Sequence, residues 1–419
     1  MSAKEIVAGL TTFATMAYIA VVNPAILSAG NSGIPFAGAM AATIVVTVVF
    51  STAASFWVQR PFAIAPGMGL NTFVVFSLVL GKGVAWQEAF GICFYAGALV
   101  LVISLSGLRQ IVVKSIPATV GTGATVGLGL FIALIGFKNS GLVEADPQMM
   151  LRFAGSGVEF LLSLLGLGIT LALLLRKSNF AILAGVVTVS VLGIALSTAP
   201  SPEHWLSEPN FSETFFQLDL RAALHWKNVP AIFAVAFIVF FDNLAVVSML
   251  SDSCGVTDEE KSSSLKKTLI LSGLATMFGA VCGTSPSVVF IENKAGVEAG
   301  GRTGIPAYVT AACFLPLLFF APVASLVPSY ATAPALVGIG ILMFQAIRFL
   351  PLADLGDAIP AFATLALMPF TMSIEMGLIA GFVAAVGVGV VRGKWREVPV
   401  ALYGLAILSV LLIVLQKVL

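Results

Sequence analysis

Two carboxylates stand where carboxylates are costly. Asp242 ends the apolar run from Ala231 to Phe241, and Glu292 follows Ser287-Val288-Val289-Phe290-Ile291 directly. An acid at the centre of a membrane helix costs at least about 2.5 kcal/mol on insertion scales, so it should face a bundle interior and have a task there. An ionised carboxylate only accepts hydrogen bonds, and in dry surroundings it takes up a proton more readily than in water. The pair therefore suits two kinds of chemistry: holding the ring N–H groups of a flat heterocycle, and carrying a proton. A structural reading stands beside each, Asp242 as half of a buried pair and Glu292 as an acid capping a helix N-terminus. Phe73 and Phe290 are placed to stack on a ring, although most of the 31 phenylalanines belong to the core or face lipid.

Other chemistries find little support. His204 and His225 fall in one polar loop, and Cys93, Cys254, Cys282 and Cys313 are scattered without paired spacing. Neither set forms a disulfide framework or a metal cluster, which a metal-dependent membrane enzyme would need. Gly121, Gly123, Gly127 and Gly129 do not spell a phosphate-binding fingerprint and serve close helix packing instead. Glu375 and Lys138 lie near the ends of apolar runs and are expected at the membrane interface.

The acids are positioned by broken helices. Pro61 to Asn71 holds two prolines and two glycines inside an apolar stretch, and Gly279 to Ser287 repeats the break before Glu292. Proline removes a backbone donor and clashes with the preceding turn. Unpaired backbone at membrane depth is tolerated only inside protein or along a wet cavity, so two facing breaks predict a pocket near the midplane. New half-helices are expected from about Gly69 and about Ser287, their N-termini turned to that pocket.

The whole chain is built for lipid. Of its 419 residues 59% are hydrophobic and 10% charged, with mean hydropathy +1.05, whereas about a quarter of a soluble domain is charged. Apolar runs recur at 6–27, 38–58, 66–81, 88–107, 117–137, 157–175, 179–198, 229–250, 266–283, 286–300, 304–321, 331–349, 357–372, 375–391 and 400–418. We number these spans 1 to 14, with a last segment that either crosses or lies flat. The first run is too long for a cleaved signal peptide. Placing the N-terminus inside puts Arg60, Arg109, Lys114, Arg176, Lys177, Lys266, Lys267, Arg302, Arg348, Arg392, Lys394 and Arg396 on the cytoplasmic side. The polar stretch Pro200 to Asn228, with Glu203, Glu208, Glu213 and Asp219, then faces outward and is too short for a second domain.

The spans repeat. Asn23 matches Asn243 and Pro66 matches Pro286, both 220 residues apart, and Val126-Gly-Leu-Gly-Leu130 matches Val337-Gly-Ile-Gly-Ile341 at 211. Residues 1–199 form one unit of seven spans and 229–419 a second, joined by the outer loop 200–228. An odd number per unit forces opposite orientations, an inverted repeat. The repeat partners of Asp242 and Glu292 are Val22 and Thr72, so the acids were added to one half only.

Several ordered stretches carry a family resemblance: Glu5 to Pro24 (ending Met-Ala-Tyr-Ile-Ala-Val-Val-Asn-Pro), Ala65-Pro-Gly-Met-Gly-Leu-Asn71, Val126 to Gly136, Ala295-Gly-Val-Glu-Ala-Gly-Gly-Arg-Thr-Gly304, Ala331-Thr-Ala-Pro-Ala-Leu336, Ala358-Ile-Pro-Ala-Phe362 and Trp395-Arg-Glu-Val398. Together they resemble the AzgA-like purine permeases, a branch of the nucleobase:cation symporter-2 (nucleobase-ascorbate transporter) family. The resemblance implies an all-α polytopic membrane protein with about fourteen spans in a seven-plus-seven inverted repeat. It further implies a core domain of spans 1–4 and 8–11, a gate domain of spans 5–7 and 12–14, and substrate held between short strands in spans 3 and 10. Carboxylates of span 8 and of the start of span 10, here Asp242 and Glu292, would engage the nucleobase and couple it to protons. Core would move against gate like an elevator, often within a dimer. Three departures bear on the cargo. The usual Thr-x-Gly-Thr after the span-8 acid is Asn243-Leu244-Ala245-Val246, a usual Tyr is Phe290, and a common Ser is Asn293.

The expectation is thus a transporter, not an enzyme, of the cell membrane, taking up a purine base with protons and needing no metal, cofactor or nucleic acid. Glu292 would bind a ring N–H, and Asp242 would carry the proton or a second hydrogen bond. Phe73 and Phe290 would flank the ring, with Asn71, Thr72, Ser287 and Ile291 completing the site. The alternatives are a pyrimidine, xanthine, urate or small anion on the same fold, or a transport-inactive receptor or scaffold.

Overall fold

The computed structural model describes residues 2–109, 112, 116–146, 148, 150–199, 204–407 and 410. Among them ten helices are long and apolar enough to cross a membrane, at spans 1, 2, 4, 5, 6, 8, 9, 11, 12 and 14. Three shorter apolar helices, Met68–Lys82, Ala181–Ala195 and Leu355–Thr371, fill spans 3, 7 and 13. Span 10 is the exception: a strand, Ser287–Val289, and a short helix, Asn293–Glu298. Most of the expected last segment, 408–409 and 411–419, lies outside the described residues, as does Glu203 of the outer loop.

The breaks differ from expectation on one side. In span 3 a strand, Ile64–Pro66 (β1), gives way at Met68 to a helix that turns π-helical over Phe73–Val79. In span 10 no helix begins at Ser287. That stretch is strand β4, and helix resumes at Asn293, six residues later. Pro66 ends β1 and Pro286 directly precedes β4, each disfavouring helix through its own stretch, and the β-branched pair Val288-Val289 suits a pleated strand. With strands β2 (Val143–Asp146) and β3 (Met150–Phe153) in the span 5–6 connection, the described residues hold two antiparallel pairs, β1 with β4 and β2 with β3. Span 9 (Asp258–Cys282) is fixed at both ends, by a capping box of Thr257 with Glu260 and by Gly283 at φ 97°. That sets where the second break falls.

The inverted repeat is visible in its contacts. Span 5 (Ala118–Asn139) crosses span 12 (Ser329–Phe344) where repeat-related glycines meet. A Cβ on Gly340 would lie 2.6 Å from the Gly129 carbonyl oxygen, and one on Gly129 would lie 2.9 Å from that of Gly340. Reciprocal contact of this kind is what a two-fold relation produces. In β1 and β4 Ile64 pairs with Val289, Ala65 with Val288 and Pro66 with Ser287, so the repeat-related strands run antiparallel with Pro66 opposite the residue that follows Pro286.

Glu375 is paired within the protein. It lies near the start of span 14 (Ile374–Val391), yet it is buried and paired with Lys82 Nζ at 2.6 Å. A carboxylate can leave water there because a lysine comes with it. Lys138 is exposed at the end of span 5.

Candidate functional site

Where spans 3 and 10 break, each strand satisfies part of the other's backbone, and side chains from neighbouring spans satisfy the rest. Gly67 N–H donates to the Pro286 carbonyl at 2.8 Å. Ser51 of span 2 accepts from Ile64 N–H at 2.9 Å and donates to the Ile64 carbonyl at 3.0 Å. Asn293 brackets Ala63 in the same way, accepting from its N–H at 2.9 Å and donating to its carbonyl at 3.0 Å. Thr276 of span 9 accepts from Ser287 N–H at 3.1 Å. Lipid offers no such partners, so these side chains are what allow a two-stranded ribbon inside a helical membrane protein.

Asn243 belongs to this scaffold. Its Oδ1 accepts from Val289 N–H at 3.1 Å and from the Ser272 hydroxyl at 3.0 Å, while its Nδ2 donates to the Val239 carbonyl at 2.6 Å. Asn23, its repeat partner, donates to Thr43 and Thr284 at 2.7 and 3.0 Å and accepts from Asn71 and Ser285 at 2.7 and 3.2 Å. Two departures from the usual family pattern, Asn243 and Asn293, therefore act on the strand backbone.

The expected site residues divide into two groups. Asn71 and Thr72 are buried and engaged internally, Asn71 with Asn23 and with Thr72 N–H, and Thr72 with the carbonyls of Met68 and Gly69. Phe73 is fully buried at the start of the π-helical stretch, and Phe290 is buried at the end of β4. Ser287 is buried with no hydrogen-bond partner for its hydroxyl among the described residues. Ile291 is 42% exposed.

The two acids differ in environment. Asp242 sits half-buried within the span-8 helix (Val229–Cys254), beside Asn243, and makes no hydrogen bond or ion pair among the described residues. Glu292 precedes the short helix Asn293–Glu298, yet its side chain does not cap that helix. Instead Oε1 accepts from the Tyr18 hydroxyl at 2.7 Å, and Oε2 is buried without a partner among the described residues. Among the described residues these elements thus offer one hydrogen-bonded carboxylate with a free oxygen, a second carboxylate without partners, and an unpaired serine hydroxyl.

Tyr18 is the residue that reading the acids alone misses. It stands at the interruption between two helical pieces of span 1, Ala3–Met16 and Ile19–Leu27. It is one of 5 tyrosines in the chain, and a phenol within an apolar span needs a polar partner. Phe241 likewise carries no signal of its own in the sequence. It stacks on Phe237 at 4.3 Å, and its ring occupies the space beside Gly121 of span 5, where a Cβ would come within 2.9 Å of it.

Comparison with known proteins places the chain. Residues 3–394 match the model of a permease family, Xan_ur_permease. A putative permease of Methanocaldococcus jannaschii, MJ0326, is 38% identical, the match covering 97% of this chain and 94% of that protein. The guanine/hypoxanthine permease PbuO of Bacillus subtilis is 35% identical over 94% of this chain and 93% of its own length. The adenine permease AdeQ of Escherichia coli is 33% identical over 98% and 93%. Among solved structures, the transmembrane domain of the cyanobacterial bicarbonate transporter BicA shares the fold. Its TM-score is 0.62, with 18% identity, 91% of this chain and 98% of that one covered.

Proposed function

The chain belongs to the Xan_ur_permease permease family, and from that premise we propose that it takes up a purine base, of the guanine, hypoxanthine or adenine class, by proton symport. The observation that carries the reading is the buried Oε2 of Glu292, an acceptor without a donor at the strand break. A buried unpaired carboxylate oxygen is costly, and a ring N–H is a donor that would satisfy it. The Ser287 hydroxyl, also without a partner among the described residues, suits a ring nitrogen or carbonyl. Phe290 and Phe73 flank the base in this reading, and Asp242 carries the coupling proton. An anionic cargo would meet two carboxylates here and gain nothing from them.

Elevator motion of a core (spans 1–4 and 8–11) against a gate (spans 5–7 and 12–14) is part of the proposal, and packing supports it. Span 1 lies against spans 10 and 11, span 2 against 9 and 11, and span 4 against 8 and 9. Span 5 lies against 12, 13 and 14, span 6 against 7 and 12, and span 13 against 14. The N-terminus-inside orientation, a cell-membrane location and a homodimer belong to the same proposal. Arg60 with Glu260, and Glu5 with the Arg302 backbone, tie together connections that this orientation places on the cytoplasmic side.

The test is a melting-temperature panel on purified protein with guanine, hypoxanthine, adenine, xanthine, uracil and bicarbonate. A ligand at a hundred times its Kd stabilises the folded state by about 2.7 kcal/mol. One or more of the first three bases should raise the melting temperature, and the others should not. Stabilisation by bicarbonate or uracil alone would mean that the fold carries a different cargo.

A further inference from the structure

Glu292 is gripped from one direction. Thr15 and Tyr18 lie three residues apart on span 1, a spacing that puts two side chains on one helix face. The Thr15 hydroxyl reaches the Glu292 carbonyl at 3.4 Å, and the Tyr18 hydroxyl reaches Oε1 at 2.7 Å. Packing enforces the grip. The helix after Glu292 meets span 1 through Gly296, where a Cβ would fall 2.8 Å from the Ala8 carbonyl oxygen and closer still to the Thr12 hydroxyl. Nothing larger than glycine fits there, so the carboxylate and the phenol are held at hydrogen-bond distance by backbone contact. Tyr18 itself is 1% exposed and donates no other hydrogen bond among the described residues.

This arrangement makes the two carboxylate oxygens unequal. One is committed to Tyr18, and the other is the buried atom left for a ligand. We infer that Tyr18 is a positioning and specificity-determining residue: by occupying Oε1 it turns Glu292 into a one-point acceptor, offering Oε2 alone to a single ring N–H. The inference rests on the purine reading of the site.

The consequence is chemical and differs between purines. Hypoxanthine presents one donor, N1–H, on its six-membered-ring edge. Guanine presents two in parallel, N1–H and the 2-amino group, the geometry that engages both oxygens of a carboxylate at once. A carboxylate with one oxygen committed cannot reward the second donor, so the unmutated protein should treat the two bases nearly alike at this edge. Freeing Oε1 should favour guanine. In Tyr18→Phe the ring and its packing stay, and only the hydroxyl is lost.

The experiment measures KM and maximal uptake of hypoxanthine and guanine in membrane vesicles, for unmutated protein and Tyr18→Phe at matched membrane abundance. Loss of a hydrogen bond that orients a charged group should raise the hypoxanthine KM about tenfold. Guanine should lose much less, because its second donor takes the freed oxygen, so the ratio of the two KM values should move about tenfold toward guanine. Maximal uptake should stay within about twofold. A residue that only supports packing would lower maximal uptake, or shift both KM values equally. Equal shifts, or unchanged KM values, with both bases still transported, overturn the role of Tyr18 and leave the purine reading standing. Failure of the unmutated protein to take up either base overturns both.

Discussion

Glu292→Gln is expected to abolish purine uptake, lowering the ratio of maximal rate to KM by about a hundredfold or more while the protein still reaches the membrane in normal amount. Glutamine has nearly the same volume, and Tyr18 can still donate to its amide oxygen. The second terminal atom then becomes an NH2 group where the buried, unpaired Oε2 now lies. A ring N–H would face a donor instead of a charged acceptor. Losing a hydrogen bond to a charged group costs about 1.5–3 kcal/mol, and facing two donors adds the desolvation of an unmet N–H. At 1.4 kcal/mol per tenfold, about 3 kcal/mol is the hundredfold expected. The melting-temperature shift with purines should vanish too, which separates lost binding from lost movement. Uptake within a few-fold of normal would remove Glu292 from the site.

Asp242→Asn should behave differently. It removes the proposed proton carrier and keeps a hydrogen-bonding side chain, so purine binding and purine–purine exchange in proteoliposomes should persist. Accumulation driven by an imposed pH gradient should be lost. If both activities disappear together, Asp242 holds substrate; if both survive, the coupling proton travels elsewhere.

How much of this was legible before any coordinates follows from what each feature depends on. The breaks at Pro66 and Pro286 are local chemistry, since each proline stands among glycines that weaken the helix further, whereas Pro24, Pro334 and Pro360 sit inside helices, and the acids announce themselves by the cost of burying charge. The fourteen-span layout is likewise written in apolar run lengths. Pairing is not. Nothing near Asn243 in the chain says that its carbonyl oxygen will accept from Val289 N–H, 46 residues away, or that Asn293 will bracket Ala63, 230 residues before it. For the same reason Ser287 looked like a helix start when its own stretch was considered alone, because the partner that makes it a strand lies in the other repeat. Tyr18 escaped notice because a tyrosine in an apolar span is usually core. Its hydrogen-bond partner is a carboxylate 274 residues later. Nor does anything near Glu375 in the chain say that its carboxylate will pair with Lys82, from the first half of the chain.

That last pair leads to the second large effect. Lys82 ends the helix of span 3, in the proposed core, and Glu375 begins span 14, in the proposed gate. A second link lies alongside: the Ser77 hydroxyl, in the π-helical stretch, donates at 2.6 Å to the carbonyl of Met372, in the turn between spans 13 and 14. In the N-terminus-inside orientation both lie toward the outer face. If the core slides past the gate, this ion pair and this hydrogen bond must part in every cycle. Purine uptake by a Lys82→Cys/Glu375→Cys double variant should therefore fall to background when the two cysteines are joined by a short bifunctional methanethiosulfonate, and return when a reductant cuts the link. Each single variant, given the same reagent, controls for Cys93, Cys254, Cys282 and Cys313. Unhindered uptake by the joined protein would mean that spans 3 and 14 travel together, and that the moving boundary runs elsewhere than between core and gate. The buried carboxylate makes the neutral exchange informative as well. Lys82→Ala should be far more harmful than Lys82→Ala combined with Glu375→Gln, because the first leaves a charge buried without its partner and the second removes that charge.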